Sequence, residues 1–272
     1  MLPPAARSVA RRVYGGRGGA AGDRSIPEEV AVALTYNRHA YATMMASPQD
    51  LEDFAIGFSV AEGIVAHPGE ILELEIVVLA AGIELRMTIT PDRLQAFAAR
   101  RRWMAGPTGC GLCGIEAIGE AMRSPPVVTA DLVVQPEEVP RMLSALAARQ
   151  PLNHLTRAVH AAGYWQPRAG LHLVREDVGR HNALDKLAGA VARQQLAEPG
   201  VVVLTSRVSV EMVQKTAIMG VPILIAVSAP TALAVRMAES ANITLIAIAR
   251  DDGFEVFTHP YRLADKAAAH VA

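Results

Sequence analysis

From Glu28 onward the chain alternates at a period of two. Val30, Val32 and Leu34 recur at every second position, then Tyr41, Thr43 and Met45, with Tyr36-Asn37-Arg38 between the two sets. That period sends successive side chains to opposite faces and predicts a β-hairpin. Ser47-Pro48 then predicts a helix start, with Ser47 as N-cap and Pro48 at the first helical position. Leu51, Phe54, Ala55, Phe58 and Ala61 follow at helical spacing, and Gly63 and His67-Pro68-Gly69 end the segment. A second hairpin is expected over 72–79 and 83–89, turned at Ala80-Ala81-Gly82, and Pro91 opens another helix carrying Arg93, Arg100, Arg101 and Arg102.

The second half has a different rhythm. Strands are expected at 171–174, 201–204, 223–227, 243–248 and 254–257, with helices at 182–195, 209–219 and 231–240. Repeated short strands and helices predict a largely parallel sheet covered by helices. Ser124-Pro125-Pro126 marks the expected junction. The reading is therefore α/β: a flexible arm over 1–24, a smaller N-terminal α+β domain over 25–124, and an α/β domain over 125–272. No internal repeat is visible.

Composition narrows the function classes. Of 272 residues 51% are hydrophobic and only 4% aromatic, so Ala, Val, Leu and Ile must fill the core. A formal charge of -1 excludes a global field that would draw in nucleic acid or a membrane surface. No apolar run reaches spanning length without Gly, Pro or a charge, so no membrane role is expected. The arm holds Arg7, Arg11, Arg12 and Arg17 and no acid before Asp23. Arg11-Arg12 lacks the apolar stretch an export signal requires, and a mobile arm is the expectation.

There are two cysteines, Cys110 and Cys113, too few for a disulfide framework. They point to reactive or metal-binding thiols in a reducing, cytoplasmic compartment. In Gly109-Cys110-Gly111-Leu112-Cys113-Gly114 the thiols can meet across one turn, and glycines let a partner's cysteine approach closely. The upstream arginines favour the thiolate. A zinc half-site would need two further ligands, for which His154 and His160 stand at atypical spacing. A dithiol oxidoreductase would place its first cysteine at a helix start after a strand, a context this loop lacks.

Three strand-to-helix turns in the second half could bind anions, because helix starts present free N–H groups. The first is Arg175-Glu176-Asp177-Val178-Gly179-Arg180-His181-Asn182, in which Asp185 either orients His181 one turn away or forms a surface pair with it. The same residues would also serve as a capped helix with solvated charges. The second, Thr205-Ser206-Arg207-Val208-Ser209, adds a guanidinium fork suited to phosphate. The third is Ser228-Ala229-Pro230-Thr231. Lys215 either assists or lies on the surface. His160-Ala161-Ala162 faintly echoes the zinc stretch of nucleobase deaminases, but Ala162 stands where their general-acid Glu would be.

Taken in order, several blocks resemble the formate dehydrogenase accessory sulfurtransferase family (FdhD). They are Phe54-Ala55-Ile56-Gly57-Phe58, Ala61-Glu62-Gly63-Ile64, Cys110-Gly111-Leu112-Cys113-Gly114 and the run 175–187. Ser209-Val210-Glu211-Met212-Val213-Gln214-Lys215, Gly220-Val221-Pro222-Ile223-Leu224, Ser228-Ala229-Pro230-Thr231 and Thr258-His259-Pro260 complete the set. The resemblance implies a cytidine-deaminase-like three-layer α/β domain without zinc. It implies that Cys110 carries a persulfide taken from a cysteine desulfurase, with Cys113 as its relay partner. The sulfur would go to molybdenum held by Mo-bis(molybdopterin guanine dinucleotide), destined for formate dehydrogenase. Ile248-Ala249-Arg250-Asp251-Asp252-Gly253 matches the family's cofactor-binding stretch, with Arg207, Ser209, Ser228, Thr231 and His181 expected alongside. A guanine nucleotide could occupy the same site, and a homodimer is implied. Two departures stand out: Arg157-Ala158-Val159 replaces a Gly-Gly pair before His160, and Asp251-Asp252 is acidic. A non-catalytic molybdopterin-binding chaperone and a dithiol oxidoreductase are the alternative functions.

Overall fold

A computed structural model of the chain describes residues 1–15, 18–104, 124–196 and 198–264. Both predicted hairpins form. β3 (Val30–Tyr36) and β4 (His39–Ala46) are joined by Asn37 and Arg38, at φ of 47° and 67°. Two consecutive left-handed residues make the tight turn whose twist matches its strands. β5 (Ile71–Leu79) and β6 (Gly82–Ile89) form the second hairpin, and the sheet runs β4-β3-β6-β5 with β3 parallel to β6. Its inner face sends Val32, Leu34, Leu85 and Met87 against Phe54 and Phe58 of α1 (Leu51–Ala61). α2 (Pro91–Met104) opens at Pro91 as expected.

Two expectations fail in this half. Ser47 does not cap α1; the helix starts at Leu51 behind Asp50, whose φ is 53°. Ser47 is instead occupied in contacts with the second half. Residues 1–24, expected as a flexible arm, carry an antiparallel hairpin of β1 (Ala6–Gly15) and β2 (Gly18–Pro27). Composition concealed it. Val13 and Tyr14 pair across the strands with Ala20 and Gly19, so the bulky side chains of one strand sit beside small ones of the other. The Glu28 N–H closes the base on the Ala5 carbonyl (2.8 Å), helped by the Arg7–Glu28 ion pair.

The second half is a six-stranded sheet in the order β12-β11-β10-β9-β7-β8. Its strands are β7 (His160–Gln166), β8 (Gly170–Asp177), β9 (Val201–Leu204), β10 (Ile223–Ala226), β11 (Thr244–Arg250) and β12 (Gly253–Val256). Only β9, β10 and β11 run parallel; β7, β8 and β12 join antiparallel, so the sheet is mixed rather than largely parallel. The α-helices of this half among the described residues are α3 (Glu138–Ala148), α4 (Pro151–Thr156), α5 (Arg180–Arg193), α6 (Val210–Ile218) and α7 (Ala232–Ser240). The strand alternation separates two cores. Val202, Leu204, Leu224 and Leu245 face α5, α6 and α7, while Val201, Val203, Ile223 and Ile225 face α3. The result is three layers. Among the described residues no helix is long and apolar enough to cross a membrane.

The halves meet where α1 crosses α5. A Cβ on Gly57 would fall 1.7 Å from the Asp185 carbonyl oxygen, and one on Gly189 would fall 1.9 Å from that of Asp53. Only glycine allows helix backbones this close. Beside the crossing, Arg175 binds Asp53 at 2.6 Å and Arg193 binds it at 2.8 Å. Deeper still, Lys186 and Asp177 form an ion pair at 2.6 Å with both side chains 0% exposed.

Lys186→Met should therefore leave the Asp177 carboxylate buried without its counter-ion. The expected loss is about 3–5 kcal/mol, read from the chemical denaturation midpoint. An exposed-pair control, Arg168→Met opposite Glu198, should move stability by less than about 1 kcal/mol.

Candidate functional site at the ends of the parallel strands

Open α/β sheets bind ligands beyond the carboxyl ends of their parallel strands. Here the loops after β9, β10 and β11 converge at that edge and are knitted together by their backbones. The Val208 N–H donates to the Ala229 carbonyl (3.3 Å), that of Thr231 to Val208 (2.9 Å) and that of Ile248 to Ser228 (3.3 Å). Arg207, Ser209, Ser228, Thr231 and the stretch 248–253, scattered over 47 positions of sequence, thus share one rim. Thr231 caps α7, its Oγ1 accepting from the Ala234 N–H at 3.2 Å. Arg207 and Arg250 are exposed, with side chains available to a ligand.

The β8–α5 turn divides its labour residue by residue. Arg175 binds Asp53. Glu176 accepts the Leu152 and Asn153 N–H groups at the start of α4 (2.9 and 2.8 Å), although burial pushes its carboxyl up. Asp177 takes Lys186, the Ser47 N–H and the Gly179 N–H. Asn182 donates to the Met45 carbonyl at 2.8 Å. Arg180 and His181 have no comparable structural duty. Arg180 Nε and His181 Nε2 are buried without a hydrogen-bond partner, and so is Ser209 Oγ at the start of α6. A buried unsatisfied polar atom costs about 1–3 kcal/mol; of the seven such side-chain atoms among the described residues three gather at this rim, which makes it the candidate place to receive polar atoms from outside.

Electrostatics point the same way. Burial first, and then the neighbouring Arg180 charge, pull the pKa of His181 down. His160, at the start of β7, is lowered by the same two causes. Both imidazoles are thus held neutral beside a permanent cation. Glu211 Oε2 lies 3.7 Å from His181 Nε2, so a carboxylate faces the ring. The alternatives left open for Asp185 are resolved differently: it neither orients His181 nor forms a surface pair. It is buried and bound to Lys215 at 2.5 Å, which makes Lys215 an interior residue rather than a ligand contact.

The 248–253 stretch is strained. Ile248 takes φ of 52°, which a β-branched side chain rarely adopts, and the β11–β12 register shifts between Ala247 and Arg250. Such strain concentrates at ligand-binding segments. Ala249 is buried in the α3-side core, so only its backbone can meet a ligand; Asp251, Asp252 and Gly253 are exposed. Arg157 takes φ of 58° at the end of α4, a geometry glycine accepts without strain.

Cys110 and Cys113 lie outside the described residues. Ser124 lines, with Pro125, Val60, Val65 and Ile218, a cavity of about 330 Å³ at the far end of α6. Among the described residues no group of three or more His, Cys, Asp or Glu could hold a metal ion. Sequence reasoning left Arg180, His160 and Glu211 out of the expected cofactor-binding set, although Arg180 stood in the first of the three candidate turns and His160 was weighed as a zinc ligand. The available signal was Arg180-His181 standing at a helix start directly after a glycine.

Comparison with known proteins follows the same lines. Residues 27–264 match the model of the FdhD/NarQ family. The chain is 51% identical over 259 residues to a sulfur carrier protein FdhD of Agrobacterium fabrum, covering 94% of this chain and 96% of that one. It is 47% identical over 264 residues to a protein of the same description from Xanthomonas campestris, covering 97% and 94%. A crystal structure described as a formate dehydrogenase accessory protein from Desulfotalea psychrophila superposes with a TM-score of 0.74 at 26% identity, over 96% of this chain and 100% of that one.

The neutral histidines carry a pH signature. Below the ordinary value of 6.5 the unfolded chain takes up protons that the folded chain refuses. Stability should therefore fall as pH falls from 6.5 toward the depressed native values. His160→Gln/His181→Gln should flatten that slope in denaturation midpoints measured across the window.

Proposed function

The chain belongs to the FdhD/NarQ family, and on that premise we propose that it is a cytoplasmic sulfurtransferase serving formate dehydrogenase. It takes persulfide sulfur from a cysteine desulfurase onto Cys110 and delivers it to molybdenum held by Mo-bis(molybdopterin guanine dinucleotide), its bound substrate. The observation that carries the binding half is the trio of buried atoms without a hydrogen-bond partner, Arg180 Nε, His181 Nε2 and Ser209 Oγ, at the starts of α5 and α6. Phosphate oxygens satisfy such donors, and helix starts add N–H groups and a favourable dipole. Arg207 and Arg250 supply exposed charge at the same rim. What supports the sulfur half is the description carried by relatives about half identical to this chain.

The chemistry assigned to Cys110 is ordinary thiol exchange. Its thiolate attacks the outer sulfur of the donor persulfide; the donor S–S bond breaks and the donor leaves as a thiolate. The Cys113 thiolate then attacks the inner sulfur of the Cys110 persulfide. A Cys110–Cys113 disulfide forms and hydrosulfide departs as the ligand for molybdenum. A cellular dithiol reduces the disulfide and restores both thiols.

One preparation separates the functions. After incubation with a cysteine desulfurase and cysteine, the intact mass should rise by one sulfur atom, and Cys110→Ala should lose the gain. Tight nucleotide binding with no gain would instead indicate a binding chaperone, and loss of two hydrogens under mild oxidant a dithiol oxidoreductase. In parallel, Arg180→Gln should weaken GDP binding about tenfold by calorimetry while leaving the mass gain intact.

A further inference from the structure

The β1–β2 hairpin takes no part in the site, and it begins before the region that matches the family model. It is a two-stranded sheet of its own, a kind that is marginal in water unless something covers it. β2 rests on the body. It packs on α4, and the Arg24 guanidinium donates to the Thr156 carbonyl at 3.4 Å. The helix that bears the hairpin is the one whose start Glu176 of the β8–α5 turn holds. β1 is different. Among the described residues β2 is its sole strand partner, and every residue from Arg7 to Gly15 is exposed. In an antiparallel pair every second residue turns its N–H and C=O away from its neighbour, so the outer side of β1 is a free strand edge.

The register decides what that edge can accept. Residues directly opposite one another share a face. Arg7 stands opposite Ile26, Val9 opposite Arg24, Arg11 opposite Gly22 and Val13 opposite Ala20. One face of β1 therefore alternates cation and apolar side chain, with Val9, Val13 and Ile26 exposed. The other face carries Arg12 and Tyr14, opposite Ala21 and Gly19. Arg7 is answered by Glu28, whereas Arg11 and Arg12 make no ion pair among the described residues. Residues 6–27 hold five arginines and one aspartate, a local charge of +4 on a chain whose total is -1.

Charges along an edge guard it against other edges. Here the guard has a single sign, so it repels a basic strand and admits an acidic one. Arginine on both faces does not suit a lipid surface, which takes apolar side chains from one side. Valines between the arginines add nothing to a run of phosphates. A strand bearing both carboxylates and apolar side chains uses every feature at once. We propose that β1 is the docking edge for an extended acidic segment of a partner protein. The segment adds as a third strand, with carboxylates against Arg11 and Arg12 and apolar side chains against Val9 and Val13. Main-chain hydrogen bonds supply the affinity and the arginines the choice of partner. The inference stands on this surface and is independent of the sulfur-transfer reading.

Fluorescence anisotropy of labelled peptides with the full chain tests it. In antiparallel register the matching probe is Thr-Val-Glu-Glu-Thr-Val-Thr-Glu, its first residue opposite Tyr14 and its last opposite Arg7. It should bind, and more weakly as salt rises. A probe of the same composition in the order Glu-Glu-Glu-Val-Val-Thr-Thr-Thr should bind at least about tenfold more weakly, as should the matching probe to Arg11→Glu/Arg12→Glu. A probe with lysine in place of each glutamate should bind that variant instead. Only one edge of the probe meets β1, so of two probes N-methylated at alternate positions one should fail and the other should bind. Thermal melts establish that the arginine variant folds, and Arg11→Gln/Arg12→Gln replaces it if it does not. Failure of the matching probe to bind overturns the proposal. So does equal binding of the two residue orders, or an equal response to the two methylated probes. Tighter binding of duplex DNA or of phosphatidylglycerol vesicles also overturns it, and would give the hairpin a polyanion as its occupant.

Discussion

A lysine ammonium removed wholly from water survives only if its charge and its hydrogen bonds are answered in place. Lys186 is answered by Asp177 at 2.6 Å and by the Ser47 carbonyl at 2.9 Å. Ser47 contributes further to this node: its N–H donates to Asp177 Oδ2, and its Oγ accepts the Val178 N–H. One serine between β4 and α1 is thereby fastened to the β8–α5 turn, 130 positions away in sequence. No partner can be withdrawn without stranding another, and these contacts hold the turn carrying Arg180 and His181 against the first half of the chain.

The other inter-half contacts extend this constraint. Asp53 lies between Arg175 and Arg193, and the paired glycines bring α1 and α5 together backbone to backbone. Lys215 then ties α6 to α5 through Asp185, whose carboxyl burial pushes up to about 6 against the pull of the lysine. The bond sets Ser209 and Glu211, at the start of α6, against His181 at the start of α5. The N-terminal sheet contributes no residue to the rim, yet its helix α1 fixes the spacing of the two helices that do.

Core and rim follow opposite rules. At the core node both ions of the Lys186–Asp177 pair are partnered; at the rim an arginine, a histidine and a serine are buried with atoms left over, and an isoleucine is held in a left-handed conformation. Local inconsistencies of this kind gather where a fold serves a ligand rather than itself.

Much of this was legible in the residues alone. Alternation located the β3–β4 and β5–β6 hairpins, and apolar runs located β9 and β10, because the period of a strand is a local property. The three candidate anion-binding turns were recognisable as glycine- and hydroxyl-bearing links between strand and helix. What eluded a linear reading depends on partners far away. The N-terminal hairpin is held by cross-strand pairs that composition conceals, and Ser47 reads as a helix cap until Asp177 is seen beside it. His181 and Asp185, one turn apart, seem made for each other, yet each turns to a residue of α6. A sequence determines which segments curl or extend, because those preferences act between near neighbours. Only the packed chain decides which polar atoms are matched and which remain open, because burial and pairing are properties of the whole.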